Sequence, residues 1–474
     1  MPLHPFRSFV LGSFALAFVA SVLRSAESRD PATLATTLCA GCHGANLTGG
    51  TAPNLLSVSL KHGNDDASIL RAIRDGFPQT GMAGYASVLN EAEQTAMLAY
   101  LRKQARDYAF GRIEKPGGPP ASVTFKSERQ TFRLETVAEG LDTPWGMVFL
   151  PDGSMLVSDR VGVLRAIAKD GKLAPESIRG TPQAFVRQDG GYLDLIAHPD
   201  HAKNGWLYLA YTELGENRAT SMTVIVRGRV RAGAWVDQET IFRAPQKFYF
   251  RDTSHYGCRF LWDKNGCLFF TLGERGKSTD AQDLSSPLGK IHRINADGTT
   301  PADNPFVKTP GAWPTVWSYG HRHVQGLSYH PVTGKLWATE HGPRNGDELN
   351  RIEPGNNYGW PLASWGQVQF NEVIGGTSHP GTEQPVVQWS PTVAPSGIMF
   401  YAGDRFPGWK NSLLVCCLFG RQIRRIETDG DRVTHQETIF ADQGRVRHAV
   451  VGPDGLIYVA LNAPGRIARL VPAE

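Results

Sequence analysis

The sequence predicts a mainly β fold, a six-bladed β-propeller with a small all-α domain at its N-terminus. Three observations support this prediction. The 474 residues include 51 glycines and 31 prolines, an excess over average usage that favours many turns. One hairpin pattern recurs six times between residues 123 and 474. Residues 31–108 show helical periodicity instead, so they are expected to form a separate domain.

Each of the six repeats has an apolar strand, a turn of the Pro-Asp-Gly type and a second strand rich in leucine, valine and aromatic residues. The six segments are GMVFLPDGSMLVSDR, YLDLIAHPDHAKNGWLYLAYTE, CRFLWDKNGCLFFTLGER, GLSYHPVTGKLWATE, SGIMFYAGDRFPGWKNSLLVCC and AVVGPDGLIYVAL. With room for two more strands in each repeat, they predict six four-stranded blades. A β-sandwich is the alternative, but sandwiches seldom repeat one hairpin signature in this way. A propeller places its site at one axial mouth, where loops from different blades meet.

The charge of the chain is close to balanced. The formal net charge is +4, charged residues make up 20% and hydrophobic residues 41% of the sequence. These values are typical of a globular protein and give no case for a nucleic-acid partner.

The N-terminus has the pattern of a secretory signal peptide. Arg7 precedes an apolar run from Phe9 to Val22, and the small residues Ser25 and Ala26 follow. We expect residues 1–26 to be removed and the mature protein to be periplasmic. The apolar run is 14 residues long, short of the roughly 20 that a spanning helix needs, so no permanent membrane span is expected.

The segment Cys39-Ala40-Gly41-Cys42-His43 has the C-x-x-C-H spacing of c-type haem attachment. In this motif two thiols form thioethers to the haem and the adjacent imidazole ligates the iron. A redox dithiol and a zinc half-site are the alternatives, and the zinc alternative lacks a second Cys or His pair at suitable spacing nearby. The sequence therefore predicts covalently bound haem c, with His43 as an iron ligand.

The other four cysteines are predicted to be free thiols. A hairpin turn at residues 263–266 would pair Trp262 with Cys267, which places Cys258 about 13 Å away at strand rise, too far for a disulfide. Cys416 and Cys417 are adjacent in an apolar strand, where neighbouring side chains point to opposite faces.

Residues 31–108 resemble a small class I cytochrome c, on CAGCH, on the glycine-rich SVSLKHG and RDGFPQTGM stretches and on the C-terminal helix LNEAEQTAMLAYLR. The resemblance implies a methionine as the sixth iron ligand, and Met82 stands at that place. His62 is the competing ligand, and core packing is the other use of a lone methionine. A thioether ligand raises the haem potential, which suits an electron carrier. A Pro/Gly-rich linker over residues 109–122 separates this domain from the propeller.

Residues 132–472 resemble the soluble PQQ-dependent aldose sugar dehydrogenases, the glucose/sorbosone dehydrogenase family. Many separate strings carry the resemblance in the same order: LDTPWGMVFLPDGSMLVSDR, HYGCRF, TLGER, AQDLSSPLGKIHRINADGTTPADNPF, YGHRHVQGL, EHGPRNGDELNRIEPGNNYGWP, PTVAPSG and GRVRHAVVGPDG. The family implies a six-bladed propeller, pyrroloquinoline quinone (PQQ) at the axial mouth, Ca²⁺ bridging cofactor and protein, and oxidation of an aldose at C1 to the lactone.

The resemblance also assigns roles to individual residues. His255 matches the general base, Glu274 its acidic partner, and Arg322 a residue at the reacting centre and the cofactor. Imidazole is well suited to remove a hydroxyl proton near neutral pH. The remaining matches are cofactor contacts at His323, Arg445, Arg447 and Trp389, calcium ligation by the backbone carbonyls of Gly342 and Pro343, and a possible structural calcium at Glu348 and Tyr358. Trp389 fits a core tryptophan equally well.

Four positions depart from the family pattern. His323 replaces an asparagine, Phe419 a lysine, Asp189 a glutamine and His448 an aspartate. The changes at His323, Phe419 and Asp189 remove positive charge or amide donors from a pocket for a trianion, so they bear on cofactor affinity and identity. A protonated His323, or Arg421 two residues after Phe419, is a candidate to compensate.

The sequence therefore predicts a periplasmic quinohaemoprotein that oxidises an aldose and passes its electrons to the fused haem. The expected downstream acceptor is another cytochrome or a respiratory oxidase. Two alternatives from other classes are a calcium-dependent lactonase-like hydrolase and a non-catalytic sugar-binding propeller. Neither the sugar nor the oligomeric state follows from the sequence.

Overall fold

The structure is a computed structural model that describes residues 29–57, 60–109, 111–113, 122–366 and 376–473. The predicted signal peptide and most of the predicted linker lie outside these residues. No helix in the described ranges is long and apolar enough to cross a membrane.

The N-terminal part of the described chain is helical. Its four helices are α1 (Pro31–Leu38), α2 (Ala40–His43), α3 (Asp66–Asp75) and α4 (Glu91–Ala109). Helix α4 begins with a capping box, in which the Glu93 amide donates to Asn90 Oδ1 at 2.9 Å and the Asn90 amide donates to Glu93 Oε2 at 3.1 Å. The sequence predicted this start, but α4 continues eight residues beyond the predicted last residue, Leu101, because Leu101 and Tyr108 are buried in the same helical core.

Strands dominate from Ser122 onward and form six sheets in the described residues. The first two strands, β1 (Ser122–Lys126) and β2 (Thr131–Leu141), belong to the same sheet as the last three strands of the chain. The next five sheets are β3 (Pro144–Phe149), β4 (Met155–Asp159) and β5 (Val163–Ile167); β6 (Tyr192–Ala197), β7 (Leu207–Leu214), β8 (Ser221–Arg231) and β9 (Ala234–Arg243), with a short helix α5 (His201–Asn204) between β6 and β7; β10 (Phe260–Trp262), β11 (Cys267–Leu272), β12 (Lys290–Asn295) and β13 (Val316–Tyr319); β14 (Val324–Tyr329), β15 (Leu336–Glu340), β16 (Asp347–Ile352) and β17 (Val387–Trp389); β18 (Pro395–Phe400), β19 (Leu413–Cys417), β20 (Gln422–Asp429) and β21 (Arg432–Phe440). The last three strands are β22 (Arg445–Val451), β23 (Ile457–Asn462) and β24 (Gly465–Pro472).

The six sheets are the blades of a propeller, which confirms the predicted fold. The first strands of successive blades contact one another in the cyclic order β3, β6, β10, β14, β18, β22 and back to β3. The ring closes because β2 pairs antiparallel with β24, so that β1 and β2 complete the blade formed by β22–β24. Each of the six predicted hairpins forms the first two strands of its blade or, in the last blade, β22 and β23.

A buried ion pair ties three of the innermost strands together near the axis. Arg259 Nη1 donates to Asp194 Oδ1 on β6 at 3.0 Å, and both side chains are only 2% exposed. The same guanidinium donates through Nε to the Gln325 carbonyl on β14 at 3.0 Å and through Nη2 to the Arg447 carbonyl on β22 at 3.4 Å. Arg259 therefore fixes the spacing of three blades beneath the mouth.

The predicted pairing of Trp262 was wrong by one residue. Trp262 pairs with Leu268, because Asp263 Oδ1 accepts the Cys267 amide and widens the turn. The prediction of no disulfide is unaffected, since Cys258 and Cys267 are both free and buried. Cys416 and Cys417 are also free and buried, as predicted.

Candidate active site

One cavity of about 2070 Å³ is lined both by the helical domain and by the mouth of the propeller. The helical domain contributes Cys39, Cys42, His43 and Met82. The propeller contributes residues from several blades, among them Gln188, Asp189, His255, Arg322, Gly342, Pro343, Arg344 and Phe419. The two groups of residues that the sequence assigned to separate sites therefore line one shared cavity.

The last four residues of the C-x-x-C-H motif form α2, and Cys39 is the N-cap of this helix. His43 Nδ1 lies 2.7 Å from the Pro53 carbonyl oxygen. A carbonyl only accepts, so Nδ1 carries the proton and Nε2 is the basic nitrogen. A hydrogen bond of this kind fixes the tautomer and orientation of a metal-ligating histidine. His43 is 9% exposed and fits the role of an iron ligand.

Met82 and His62 both line this part of the cavity. Met82 is held by a two-residue bridge with Phe77, whose amide donates to the Met82 carbonyl at 2.8 Å. His62 stacks on the Phe77 ring, with the ring centroids 3.8 Å apart. A haem attached to Cys39 and Cys42 would be held by these side chains, and the choice of Met82 as the sixth ligand stays a prediction.

His255 and Glu274 form a hydrogen-bonded pair at the propeller mouth. His255 Nδ1 contacts Glu274 Oε1, and Glu274 is fully buried, while the His255 side chain is 18% exposed. A carboxylate accepts, so the proton resides on Nδ1 and Nε2 is left as the basic nitrogen. The second oxygen of Glu274, Oε2, has no hydrogen-bond partner among the described residues. This is the arrangement of a general base with an orienting carboxylate.

Two neighbours that the sequence did not single out hold this pair in place. Arg275, 1% exposed, donates to the carbonyls of Ser254 at 2.8 Å and Ser221 at 3.0 Å and lies 3.7 Å from the Tyr256 ring centroid. Gly273 permits the close approach of the two loops, because a Cβ there would lie 2.1 Å from the His255 carbonyl oxygen. Both residues belong to the string TLGER, so the family motif indicated this segment without assigning a role to either residue.

Arg322 is a cation in direct contact with one of the predicted calcium ligands. Its Nη1 donates to the Gly342 carbonyl oxygen at 3.1 Å, and the guanidinium lies 5.3 Å from the Trp360 ring centroid. A carbonyl oxygen has two lone pairs, so this contact leaves the Gly342 oxygen a second position for a ligand. Arg344 also lines the cavity and was missed by sequence reasoning, although it directly follows Pro343. Arg322 and Arg344 are suited to hold the carboxylates of PQQ.

Glu348 and Tyr358 lie behind the mouth in a small pocket that also includes Arg322 and Glu340. Burial and the nearby Glu340 carboxylate raise the pKa of Glu348 well above its usual range. A raised pKa of this kind favours the protonated carboxyl unless a cation lies beside it. The Tyr358 hydroxyl already donates to the Arg351 carbonyl at 2.7 Å. Throughout the described ranges, no group of three or more His, Cys, Asp or Glu side chains is arranged to hold a metal ion.

Comparison with known protein families gives two matches. Residues 141–469 match the glucose/sorbosone dehydrogenase family. The chain belongs to this family. Residues 26–101 match the family of subunit III of cbb3-type cytochrome c oxidase, so an aldose sugar dehydrogenase propeller is joined to a cytochrome c domain.

Individual relatives agree with the family. The aldose sugar dehydrogenase YliI of Escherichia coli is 37% identical over 350 residues, which cover 72% of this chain and 93% of the relative. The crystal structure of the soluble aldose sugar dehydrogenase of E. coli in its apo form has a TM-score of 0.68 and 36% identity. The match covers 72% of this chain and 100% of that one. The PQQ-bound aldose sugar dehydrogenase of Streptomyces coelicolor has a TM-score of 0.57, 28% identity, and coverage of 75% and 99%.

Some residues that the family resemblance assigned to the cofactor lie elsewhere. Among the described residues that line the cavity, neither Arg445 nor Arg447 appears. Arg447 Nη1 donates to Gln325 Oε1 at 3.2 Å, and burial together with Arg445 lowers its pKa to about 9. Trp389 is 5% exposed in the core between two blades, where its Nε1 donates to Gln436 Oε1 at 3.0 Å. This position fits the core alternative, and the cofactor contact of Trp389 stays a prediction.

His323 and Arg421 were the two candidates for replacing the positive charge missing at Phe419. Neither is among the described residues that line the cavity. His323 Nε2 accepts from Gln325 Nε2 at 2.8 Å, and burial, with the nearby His255 and other basic groups, lowers its pKa well below the usual value. The lowered pKa and this hydrogen bond favour the neutral form of His323. Arg421 is turned away from the cavity and donates to the Tyr108 carbonyl of the cytochrome domain at 3.2 Å.

Proposed function

We propose that this protein is a periplasmic quinohaemoprotein that oxidises an aldose at C1 to the lactone and delivers the electrons to its own c-type haem. The observation that carries the proposal is that His255, hydrogen-bonded to the buried Glu274, lines the same cavity as Cys39, His43 and Met82. The family match and the PQQ-bound structure of a relative support the choice of cofactor.

Three groups would be bound. When present, PQQ supplies the two-electron acceptor for the hydride from C1, Ca²⁺ supplies a Lewis acid beside it, and haem c supplies a one-electron carrier. Arg322 and Arg344 would hold the carboxylates of PQQ, while the carbonyls of Gly342 and Pro343 would ligate the calcium. Glu348 and Tyr358 would flank a second, structural calcium.

His255 acts as the general base. Because Nδ1 donates to Glu274, the basic Nε2 is available to remove the proton from the C1 hydroxyl of the sugar. The Glu274 carboxylate stabilises the imidazolium that results and keeps the ring in one tautomer. Arg322, 6% exposed, places a fixed positive charge at the same wall of the cavity.

The cytochrome domain takes the electrons onward. His43 would ligate the iron through Nε2, and Met82 would supply the second protein ligand. Ligation by histidine and methionine gives a high potential, which suits transfer to a further cytochrome or a respiratory oxidase. Export through the predicted signal peptide places the protein where c-type haem is attached, and N-terminal sequencing of the mature protein tests this.

The decisive experiment follows the haem spectrum. Oxidised, haem-loaded protein is mixed with PQQ and Ca²⁺, then with glucose or another aldose, and the α band of reduced haem is recorded. We expect reduction only when PQQ and sugar are both present, and its loss after chelation of Ca²⁺. The variant His255→Asn should lower the rate at least a hundredfold, whereas the exposed His379→Asn should leave it unchanged.

Other outcomes assign the protein to another class. Hydrolysis of a lactone without PQQ would overturn the proposal in favour of a calcium-dependent hydrolase. Sugar binding by calorimetry with neither reaction would identify a non-catalytic sugar-binding propeller.

A further inference from the structure

The contacts between the two domains point to a role for two arginines at the rim of the propeller. We infer that Arg421 and Arg445 clamp the C-terminal end of α4, and that this clamp holds the cytochrome domain in one fixed orientation over the propeller mouth. Its consequence for electron transfer rests on the proposed function, but the clamp itself does not. The two arginines are thus positioning residues for the haem domain.

Arg421 makes the most extensive contact. It lies in the turn between β19 and β20 and is 2% exposed. Its Nη1 donates to the carbonyl oxygens of Tyr108 at 3.2 Å and Ile113 at 3.5 Å, and its guanidinium carbon lies 4.4 Å from the Tyr108 ring centroid. The same group donates through Nη2 to the Ala463 carbonyl, so one side chain joins the turn after β23 to the end of α4.

Arg445 binds the next carbonyl. Its Nη1 donates to the Ala109 carbonyl oxygen, the last residue of α4, at 3.0 Å. The final carbonyls of a helix lack intrahelical partners and carry the negative end of the helix dipole, so cations bind there favourably. Two arginines on two different blades therefore converge on one helix end.

The chain that leaves α4 is fitted closely to this surface. Gly111 has a φ of +72°, and a Cβ there would lie 2.6 Å from Ala463 Cβ and 2.9 Å from Arg445 Cδ. Any larger residue at this position would be strained and would also clash with the propeller.

The buried guanidinium of Arg445 needs hydrogen-bond acceptors, and the end of α4 provides one. Burial and the neighbouring Arg421 lower the pKa of Arg445 to about 10, which means that its charge is costly at this place. Carbonyl oxygens that accept from both guanidiniums offset this cost. Without the cytochrome domain these three acceptors at Tyr108, Ala109 and Ile113 would be missing.

The clamp is connected to the haem-binding part of the domain. Tyr108, 2% exposed, belongs to the core of the cytochrome domain, and its hydroxyl interacts with Asn54, which lines the shared cavity. A tether alone would give the haem domain an effective concentration of millimolar order and many orientations. The clamp selects one of them.

The test measures docking and electron transfer separately on the full-length, haem-loaded protein. Docking is measured by hydrogen–deuterium exchange of residues 105–113 and by the radius of gyration in solution. Transfer is measured as the ratio of the sugar-driven haem reduction rate to the rate with an excess external dye. The variants are Arg421→Ala, Gly111→Ala and Arg421→Lys, and the control is Arg432→Ala, whose side chain is 75% exposed.

In wild-type protein and in Arg432→Ala we expect slow exchange at residues 105–113. Arg421→Ala and Gly111→Ala should each raise the exchange rate at least tenfold, enlarge the radius of gyration and lower the rate ratio at least tenfold. Gly111→Ala approaches the interface from the cytochrome side, so its dye-linked sugar oxidation should stay within twofold of wild type. Arg421→Lys keeps a cation near the helix end and should restore part of the ratio.

Two results would overturn the clamp: fast exchange at residues 105–113 in wild-type protein, or unchanged exchange and rate ratio in Arg421→Ala. Failure of the proposed function gives a different pattern, in which wild-type protein reduces neither dye nor haem with sugar and PQQ. The exchange and scattering measurements still decide the clamp in that case.

Discussion

His255 and Glu274 are joined by a hydrogen bond between Nδ1 and Oε1, although they are 19 positions apart in the chain. His255 precedes β11 in the sequence and Glu274 follows it. The carboxylate is fully buried and the imidazole faces the shared cavity. Because the bond fixes the proton on Nδ1, the basicity of Nε2 depends on the charge of Glu274.

The first prediction concerns that charge. Glu274→Gln should lower kcat for sugar oxidation by about 10²- to 10⁴-fold, the range typical of a lost acid–base contribution, because an amide does not stabilise the imidazolium. The KM for the sugar should change less than threefold. Steady-state kinetics with an external dye measure both, and the exposed Glu176→Gln is the control. A kcat within threefold of wild type would remove Glu274 from the mechanism.

The second prediction decides the sixth haem ligand. Met82→Ala should lower the haem reduction potential by on the order of 0.1 V, since axial ligands set potentials over a range of roughly 0.8 V. The same variant should lose the weak far-red absorption of a methionine-ligated ferric haem. His62→Ala is the matched comparison, because His62 lines the same cavity. Loss of the native spectrum in His62→Ala alone would assign ligation to His62.

The third prediction concerns the axial ion pair. Arg259→Met leaves the Asp194 carboxylate buried without its cation and should lower the free energy of unfolding by about 3–5 kcal/mol. Burial already raises the pKa of Asp194, so the lone carboxyl should bind a proton in the variant. Urea unfolding of the apoprotein measures the change. The exposed pair Lys203–Asp200, with side chains 81% and 58% exposed, supplies the control Lys203→Met, for which we expect a change below about 1 kcal/mol.

The fourth prediction is a pH dependence that arises from His292. This imidazole is buried between the Pro287 carbonyl at 2.8 Å and Thr315 Oγ1 at 2.9 Å, and burial lowers its pKa to about 3. In the unfolded chain its pKa is about 6.5, so the unfolded state binds the proton first as the pH falls. Stability from this group is therefore full above pH 6.5 and decreases between pH 6.5 and about 3.

The size of this effect follows from the two pKa values. Lowering the pH from 7.5 to 5 should cost wild-type protein about 2 kcal/mol more than it costs His292→Gln. Unfolding curves of both proteins at the two pH values give this difference. The exposed His379→Gln should retain the wild-type dependence. Equal pH dependence in His292→Gln and wild-type protein would show that His292 does not carry the effect.

Much of the fold was predictable because its signals are local. The C-x-x-C-H motif sets its own spacing within one short helix, and Asn90 and Glu93 mark the start of α4 within four residues. The six hairpins were found from turn residues between apolar strands. The family strings also located His255 and Glu274, whose pairing the structure then provided.

What the sequence by itself determined is thus the set of elements and the chemistry of their residues. Only the tertiary structure decided where the long side chains go. Arg445 and Arg447 share β22 and a two-residue spacing, yet one reaches Ala109 and the other Gln325, because each guanidinium binds the acceptor that another part of the fold brings within reach. Spacing along a strand fixes the face of a residue, but its partner depends on contacts between segments more than a hundred positions apart. The same reason explains the closure of β2 on β24 and the single cavity that unites the haem motif with the propeller mouth.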